Sequence, residues 1–234
     1  MATAHRSGGP AAGRPLEAVA FDLDGVLIEG EEVWDAVRRQ LVQTRGGRWA
    51  PEATAAMMGM SSPEWSRYMV EVLGVPMAPS AIVDETVAGV AARYAQALPL
   101  VDGAVEVVRA LAVRWPLGLA SSANRPIIEL VLDRAELTGC FRATVSSEEV
   151  DRGKPAPDVY LETARRLGVA PGRCAAVEDS ANGLRSASAA GMWVVAVPNR
   201  RYPPPRELVL AADLVVPDLR ELTSAAIAGI PTVR

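Results

Sequence analysis

The sequence has little of several residue types on which catalytic and metal sites commonly depend. It contains one histidine, His5, one lysine, Lys154, and two cysteines, Cys140 and Cys174, among 234 residues. A single histidine close to the N-terminus argues against a Ser-His-Asp or Cys-His site and against a histidine-rich zinc site. Any general acid or base is therefore expected to be a carboxylate. Two cysteines form no disulfide framework, which indicates a reducing compartment.

Charge and hydropathy exclude further classes of protein. The formal net charge is −4, so the chain has no basic field suited to nucleic acid or to an anionic membrane. No apolar run is long enough to span a bilayer, and the first 15 residues lack the apolar segment of a secretory signal. We therefore expect a disordered tail over residues 1–15 and a cytoplasmic monomer without nucleic-acid or membrane partners.

The order of apolar patterns along the chain predicts the fold class. Residues 16–24 have the pattern of a buried strand that ends in carboxylates, whereas residues 31–98 show only helical spacing of apolar side chains. After Pro99, short apolar strands alternate with helices, which is typical of a parallel sheet covered on both faces. The later strands are predicted near residues 116–121, 143–147, 174–179, 193–198 and 212–217, and a terminal helix near residues 219–228.

This pattern predicts two units within one chain. Residues 16–29 and 100–234 would form the α/β unit, and residues 30–99 an all-helical insert that leaves it after the first strand. Ligands of open α/β sheets bind beyond the carboxyl ends of the strands. The residues at those ends are therefore the candidates for a functional site.

Two strand ends carry acidic pairs. Asp22 and Asp24 follow the first strand, and Gly25 after them allows a sharp turn. Ionised carboxylates this close repel each other unless a cation lies between them; the alternative is a solvated turn. Glu178 and Asp179 end another strand at a helix start, where a capping pair is the alternative interpretation.

Two further segments carry groups that suit an anion. Ser121 to Asn124 end a strand at a helix start, where a hydroxyl and free backbone N–H groups bind anions; an ordinary N-cap is the alternative. Lys154 lies in a loop stiffened by Pro155 and Pro157. It is the only lysine in a chain that otherwise uses arginine, which suggests a site that needs a compact ammonium.

The four segments together predict a phosphoryl-transfer site. Four carboxylates converging at one sheet edge, those of Asp22, Asp24, Glu178 and Asp179, form an all-oxygen cluster that calls for Mg²⁺. Ser121 and Lys154 would then bind the anionic group. Metal, anion site and a carboxylate nucleophile are the parts that phosphoryl transfer needs.

The segments FDLDGVL, LASSAN, GKPAPD and VEDSANGL, in this order, resemble the four motifs of the haloacid dehalogenase superfamily. The resemblance covers the whole α/β unit, implies a Rossmann-like core, and makes the helical insert similar to that superfamily's α-helical cap. The branch it resembles most contains β-phosphoglucomutase-like and phosphoglycolate-phosphatase-like proteins. A closed cap of this kind best fits a small phosphomonoester, such as a sugar phosphate or a short phosphorylated acid, as the substrate.

The resemblance also implies roles for individual residues. Asp22 would be the nucleophile that forms an aspartyl-phosphate, and Asp24 the general acid and base. Mg²⁺ would be held by Asp22, by Asp24 through its backbone carbonyl, and by Asp179, with Glu178 adjacent or also ligating. The transferring phosphoryl oxygens would be bound by Ser121, Ser122 and Lys154.

Departures within the superfamily favour hydrolysis over its other reactions. The dehalogenases lack an acid at the position of Asp24, and the phosphonatases need a cap lysine that residues 30–99 do not contain. Trp34 and Ser62 stand near the places of the histidine and arginine in the cap of the sugar phosphomutases. A phosphomutase and a catalytically silent phosphate-binding protein remain the alternatives to a phosphatase.

The insert offers few polar side chains for substrate recognition. The candidates for lining the pocket are Trp34, Met60, Ser61, Trp65 and Arg67. Each of these residues also has a structural interpretation. The tryptophans could be ordinary core residues. Ser61 with Glu64 fits a capping box equally well, and Arg67 suits a solvated helix face.

Overall fold

The computed structural model describes residues 15–58 and 60–230. The strands are β1 Ala18–Phe21, β2 Leu117–Ser121, β3 Phe141–Ser146, β4 Cys174–Glu178, β5 Trp193–Ala196 and β6 Leu214–Val215. They form a parallel six-stranded sheet in the order β3-β2-β1-β4-β5-β6. Since β1 lies between β2 and β4, the segments that follow these three strands emerge side by side. The predicted α/β parallel sheet is confirmed.

Helices cover both faces of this sheet. The helices are α1 Glu31–Thr44, α2 Ala53–Met57, α3 Ser62–Glu71, α4 Pro79–Gln96, α5 Ala104–Ala112, α6 Arg125–Arg134, α7 Asp158–Leu167, α8 Ala181–Ala189, α9 Arg206–Leu210 and α10 Ser224–Ala228. Side chains of β1 alternate between the faces. Val19 and Phe21 join one buried apolar cluster, whereas Ala18 and Ala20 join a second cluster on the opposite face.

The segment between β1 and β2 begins with four helices, as the pattern predicts. Pro79 starts α4 and Pro63 lies in the first turn of α3, where a missing N–H removes no helical hydrogen bond. Residues of α1, α3 and α4 belong to the same buried apolar cluster as β1. The helical insert therefore shares one apolar core with this face of the sheet, and its α4 packs against α6.

The prediction of one continuous helix near residues 219–228 is wrong, because the structure has two separate helical pieces there. A 3-10 turn spans Leu219–Glu221, and α10 begins at Ser224. The Thr223 hydroxyl accepts a hydrogen bond from the Ala226 N–H at 3.1 Å, which starts a new helix. The apolar spacing spans both pieces and conceals this break.

The predicted N-terminal tail and the predicted absence of membrane spans remain to be compared with the structure. The disordered tail predicted over residues 1–15 and His5 within it lie outside the described residues, apart from Pro15. Each helix within residues 15–58 and 60–230 is too short or too polar to traverse a lipid bilayer.

Candidate active site

Lys154 forms the centre of the site. Its ammonium lies 2.6 Å from Asp22 Oδ1 and 2.6 Å from Glu178 Oε1. The lysine is only 5% exposed. Removing an ammonium from water costs free energy, and the two carboxylates paired with Lys154 offset that cost. Its pKa is nevertheless raised, because the two carboxylates outweigh the effect of burial. Asp22 comes directly after β1 and Glu178 ends β4, so adjacent strands present both acids to one lysine.

Glu178 has partners for both of its carboxylate oxygens. Oε1 accepts from Lys154 and from the Tyr160 hydroxyl at 2.8 Å. Oε2 accepts from the backbone N–H groups of Asp179 and Ser180 and from the Ser180 hydroxyl. The side chain is 0% exposed. This carboxylate therefore holds the lysine in position, a contact that the sequence did not specify.

Asp179 supplies the free acidic oxygen of the cluster. Its Oδ2 accepts from the Asn199 amide at 3.0 Å, while Oδ1 is buried and has no hydrogen-bond partner. Gly25 lies against this carboxylate with a φ of +85°, and a Cβ there would be 1.8 Å from Asp179 Oδ2. A glycine is thus required at this position for both backbone conformation and space.

The acidic cluster is suited to a hard divalent cation. Ligand oxygens of Asp22, Glu178 and Asp179 all lie within 4.8 Å of one another. A buried carboxylate oxygen without a partner, as at Asp179 Oδ1, is costly unless a cation or donor binds it. An all-oxygen donor set fits Mg²⁺ rather than a softer metal. The described residues therefore fit the predicted ion.

Asp24 has the environment of a proton donor. Its Oδ1 is buried without a hydrogen-bond partner, and a Cβ at Gly30 would lie 2.1 Å from that oxygen. Burial raises the pKa of Asp24 well above its ordinary value, and the charges of Glu31 and Asp22 raise it further. Burial likewise raises the pKa of Asp22 to about 7, although Lys154 opposes the shift. The two aspartates differ in that Lys154 hydrogen-bonds to Asp22 alone.

The serines after β2 have different positions. Ser121 is buried, and its hydroxyl accepts from the Ala123 N–H at 3.0 Å. Ser122 lines the pocket together with Asp22, Asp24 and Lys154, and its buried hydroxyl has no partner. Ser122 is therefore the hydroxyl that faces the space where an anion would lie.

Asn124 links α3 to the segment after β3 instead of capping α6. Its side-chain amide donates to the Ser62 hydroxyl of α3 at 2.9 Å and to Glu148. No side-chain capping bond is made at the start of α6. The carbonyl oxygen of Asn124 is buried without a partner, and the residue lines the pocket.

The helical insert forms the opposite side of the pocket. Trp34 and Trp65 line it, with ring centroids 6.3 Å apart, and Met57, Met60, Glu31 and Arg38 complete that side. Ser61 is placed in the capping box of α3, where its N–H donates to Glu64 at 2.8 Å. Arg67 is exposed on α3. Neither Ser61 nor Arg67 is among the residues that line the pocket.

Arg38 and Tyr160 are among the residues that the sequence interpretation missed, as are Met57 and Asn199. Arg38 follows Trp34 by four positions, so both lie on one face of α1. That spacing is the one signal that could have identified the arginine as a pocket residue. Tyr160 carries no comparable signal, since its contact with Glu178 depends on how α7 packs on the sheet.

Comparisons with known proteins identify the family of this chain. A family model described as haloacid dehalogenase-like hydrolase matches residues 16–191. The probable pseudouridine-5'-phosphatase of Drosophila melanogaster is 34% identical over 197 residues, which cover 80% of this chain and 84% of that protein. Hexitol phosphatase B of Escherichia coli (strain K12) is 31% identical over 222 residues, 92% of this chain and 98% of that protein.

A solved structure extends the likeness to the whole fold. CbbY from Rhodobacter sphaeroides, solved in complex with phosphate, superimposes with a TM-score of 0.80 at 25% sequence identity. The match covers 91% of this chain and 99% of that chain. The family match spans more than half of the sequence and includes Asp22, Asp24, Lys154 and Asp179, so the chain belongs to the haloacid dehalogenase-like hydrolase family.

Proposed function

We propose that this chain is a Mg²⁺-dependent phosphatase that hydrolyses a small phosphomonoester through an aspartyl-phosphate on Asp22. The observation that carries the proposal is the ammonium of Lys154, which is buried between Asp22 and Glu178 at 2.6 Å from each. This arrangement places a fixed positive charge beside a carboxylate nucleophile. The phosphatase relatives, among them enzymes named for pseudouridine 5'-phosphate and hexitol phosphates, support the same reaction class.

The proposed reaction uses the two aspartates in sequence. A carboxylate oxygen of Asp22 forms a bond to phosphorus while the bond from phosphorus to the leaving oxygen breaks. Asp24, whose burial favours its protonated form, gives its proton to that leaving oxygen. Asp24 then accepts a proton from the water that attacks the phosphorus, which releases phosphate and restores Asp22.

Other residues of the site stabilise and position the phosphoryl group. Lys154 and the unpaired hydroxyl of Ser122 would donate hydrogen bonds to its oxygens. Asp22 and Asp179, with the backbone carbonyl of Asp24, would hold Mg²⁺, which supplies positive charge to the phosphoryl oxygens when bound. Ser121 would support Ser122 through the turn that its own hydroxyl stabilises.

The pocket favours a small substrate and transfer to water. Its volume is about 60 Å³, enough for a few water molecules, and residues of the insert and of the strand ends line it together. Trp34, 5% exposed, offers no acid–base group where a phosphomutase has a histidine. All the proposed site residues belong to one chain, so the proposal needs no second subunit. The two free cysteines agree with the proposed cytoplasmic location.

The proposal is tested by phosphate release from a panel of phosphorylated metabolites, with Mg²⁺ and with EDTA. We expect activity only with Mg²⁺, and Asp22→Asn to lower kcat by at least about a thousandfold, because it removes the nucleophile. Circular dichroism should show an unchanged fold, since Lys154 keeps its bond to Glu178. Glu29→Gln, an exposed acid on the segment after Asp24, is the matched control.

Each contrary outcome identifies the part that fails. Activity that survives complete removal of divalent ions would contradict the metal assignment. Near-normal turnover by Asp22→Asn would contradict the nucleophile. An isomerised sugar phosphate in place of free phosphate would identify a phosphomutase, and phosphate binding without any turnover would identify a silent binding protein.

A further inference from the structure

Arg38 is a buried cation on the insert side of the pocket. It lies in the second turn of α1 and is 8% exposed. Its guanidinium carbon lies 5.0 Å from the ring centroid of Trp34 and 4.8 Å from that of Trp65. The two aromatic rings thus fix the position of the guanidinium at the pocket.

Acids lie near this guanidinium in the described part of the chain: burial lowers its pKa, and the charges of Glu31 and Asp24 oppose that fall. It forms no ion pair or hydrogen bond there, and its Nε is fully buried without an acceptor. Lys154, the other buried cation of the pocket, is paired with two carboxylates. Arginine is rarely buried without an ion-pair partner, because its charge loses hydration. The two tryptophan rings replace only part of that hydration at Arg38. A ligand in the pocket can supply the acceptor that the described residues do not.

The acids around Arg38 either bind other side chains or lie too far away to form an ion pair with it. Asp35 accepts from Arg39 at 3.0 Å and from Thr54. Asp24 and Glu31 line the same pocket, yet neither forms an ion pair with Arg38. The positive charge is thus available to a ligand in the pocket.

We propose that Arg38 is the specificity-determining residue of the insert and binds a carboxylate on the leaving group, so that the preferred substrates are short phosphorylated hydroxy acids. This inference rests on the proposed phosphatase function. The transferring phosphoryl group is assigned to Lys154 and Ser122 on the sheet side, whereas Arg38 lies on the opposite, insert side. A carboxylate fits better than a hydroxyl, because it supplies both the countercharge and two acceptors for the planar fork.

The test compares two substrates that differ at one carbon. 3-Phosphoglycerate and glycerol 3-phosphate share a three-carbon skeleton, and a carboxylate in the first replaces a hydroxymethyl group in the second. We expect the wild type to favour 3-phosphoglycerate in kcat/KM by about tenfold to a hundredfold, as for one charge-assisted interaction. Arg38→Met should remove that preference and change kcat/KM for glycerol 3-phosphate by less than about threefold. Arg38→Lys should keep part of it, because it retains charge without the fork.

Arg39→Met is the matched control. Arg39 is the next residue of α1 and also lies over a tryptophan ring, 4.8 Å from that of Trp49, but it does not line the pocket. We expect this variant to keep the substrate preference. Thermal unfolding without substrate should give Arg38→Met a midpoint close to that of the wild type, because methionine keeps apolar contact with the two rings and the described residues form no ion pair with Arg38.

The outcomes separate this inference from the proposed function. A wild type that hydrolyses glycerol 3-phosphate as well as 3-phosphoglycerate overturns the inference but not the phosphatase. An equal loss on both substrates in Arg38→Met, or a markedly lower unfolding midpoint, assigns Arg38 to the phosphoryl group or to the fold and also overturns it. A wild type that hydrolyses no phosphomonoester overturns the proposed function, and the inference falls with it.

Discussion

At the scale of single residues, the lone lysine has a physical explanation. The ammonium of Lys154 contacts one oxygen of Asp22 and one of Glu178, and lies 5.0 Å from the ring centroid of Tyr160. A point-like ammonium with three donors can satisfy acceptors in different directions within a small buried volume. A guanidinium is larger and planar, so it would displace one of these groups.

Substitution of Lys154 by arginine tests this explanation at unchanged charge. We expect Lys154→Arg to lower kcat by about a hundredfold, because the donor to the phosphoryl oxygens is displaced. Steady-state phosphate release measures the effect. The reciprocal control is Arg152→Lys, since Arg152 is exposed and pairs with Asp158 only at the surface. Similar rates for Lys154→Arg and the wild type would remove the explanation.

The residues of the site were predictable to different degrees. Asp22, Asp24, Glu178 and Asp179 could be selected because acids that follow apolar strands are costly unless they serve a site. The division of work between them was not predictable. Glu178 has both oxygens occupied by protein donors, whereas Asp179 keeps one buried oxygen without a partner. Such differences depend on contacts between side chains that the sequence pattern does not contain.

At the scale of elements, the start of α8 is built around the Glu178 carboxylate. The Ser180 hydroxyl accepts from the Gly183 N–H at 3.1 Å and caps the helix. A Cβ on Gly183 would lie 1.9 Å from the carboxylate oxygens of Glu178. The helix can therefore approach the strand end only with glycine at this position.

Gly183→Ala should consequently lower both stability and activity. Alanine in a helix normally stabilises it by up to about 1 kcal/mol relative to glycine. Here we expect a loss of about 1–3 kcal/mol of unfolding free energy, because the new methyl group displaces Glu178 and with it Lys154. Denaturant unfolding and phosphate release measure the two effects. Gly139→Ala is the control, since a Cβ there meets nothing within 4 Å; equal behaviour of both variants would contradict the packing argument.

Element boundaries were less predictable than element types. The helical spacing of residues 31–98 correctly predicts α1 to α4, because apolar periodicity records which face is buried. The predicted helix near residues 219–228 fails at Thr223, whose hydroxyl caps α10. A cap of this kind competes locally with helix continuation, and spacing alone does not reveal which of the two prevails.

At the scale of the whole molecule, folding brings many carboxylates into one buried place, which makes stability depend on pH. Burial raises the pKa of Asp22 to about 7, and the pKa of Asp24 and of Asp179 is raised in the same direction. A raised carboxyl pKa contributes stability that is fully present below its unfolded value and is lost as the pH rises through the folded value. Glu162, whose hydrogen bonds to Arg165 and Arg166 lower its pKa to about 2, titrates below this range.

Metal-free protein should therefore unfold at a lower temperature at pH 7.5 than at pH 5. Mg²⁺ should raise the midpoint more at pH 7.5, because the ion compensates ionised carboxylates that are otherwise close together. Thermal unfolding in EDTA and in Mg²⁺ at both pH values measures this. Asp179→Asn should abolish most of the Mg²⁺ effect. No response to Mg²⁺ at pH 7.5 would contradict the metal site.

The sequence by itself determined the elements, the positions of the acids at strand ends and the family resemblance, because each of these depends on residues close together in the chain. Only the tertiary structure decided which groups meet. Lys154, in the loop before α7, and Asp22, after β1, are 132 positions apart and meet because α7 packs on the sheet. The burial of Arg38 beside two tryptophans likewise depends on α1 and α3 both packing on α4. The sequence does not show which buried charges are paired, because their partners come from distant segments that meet only in the folded chain.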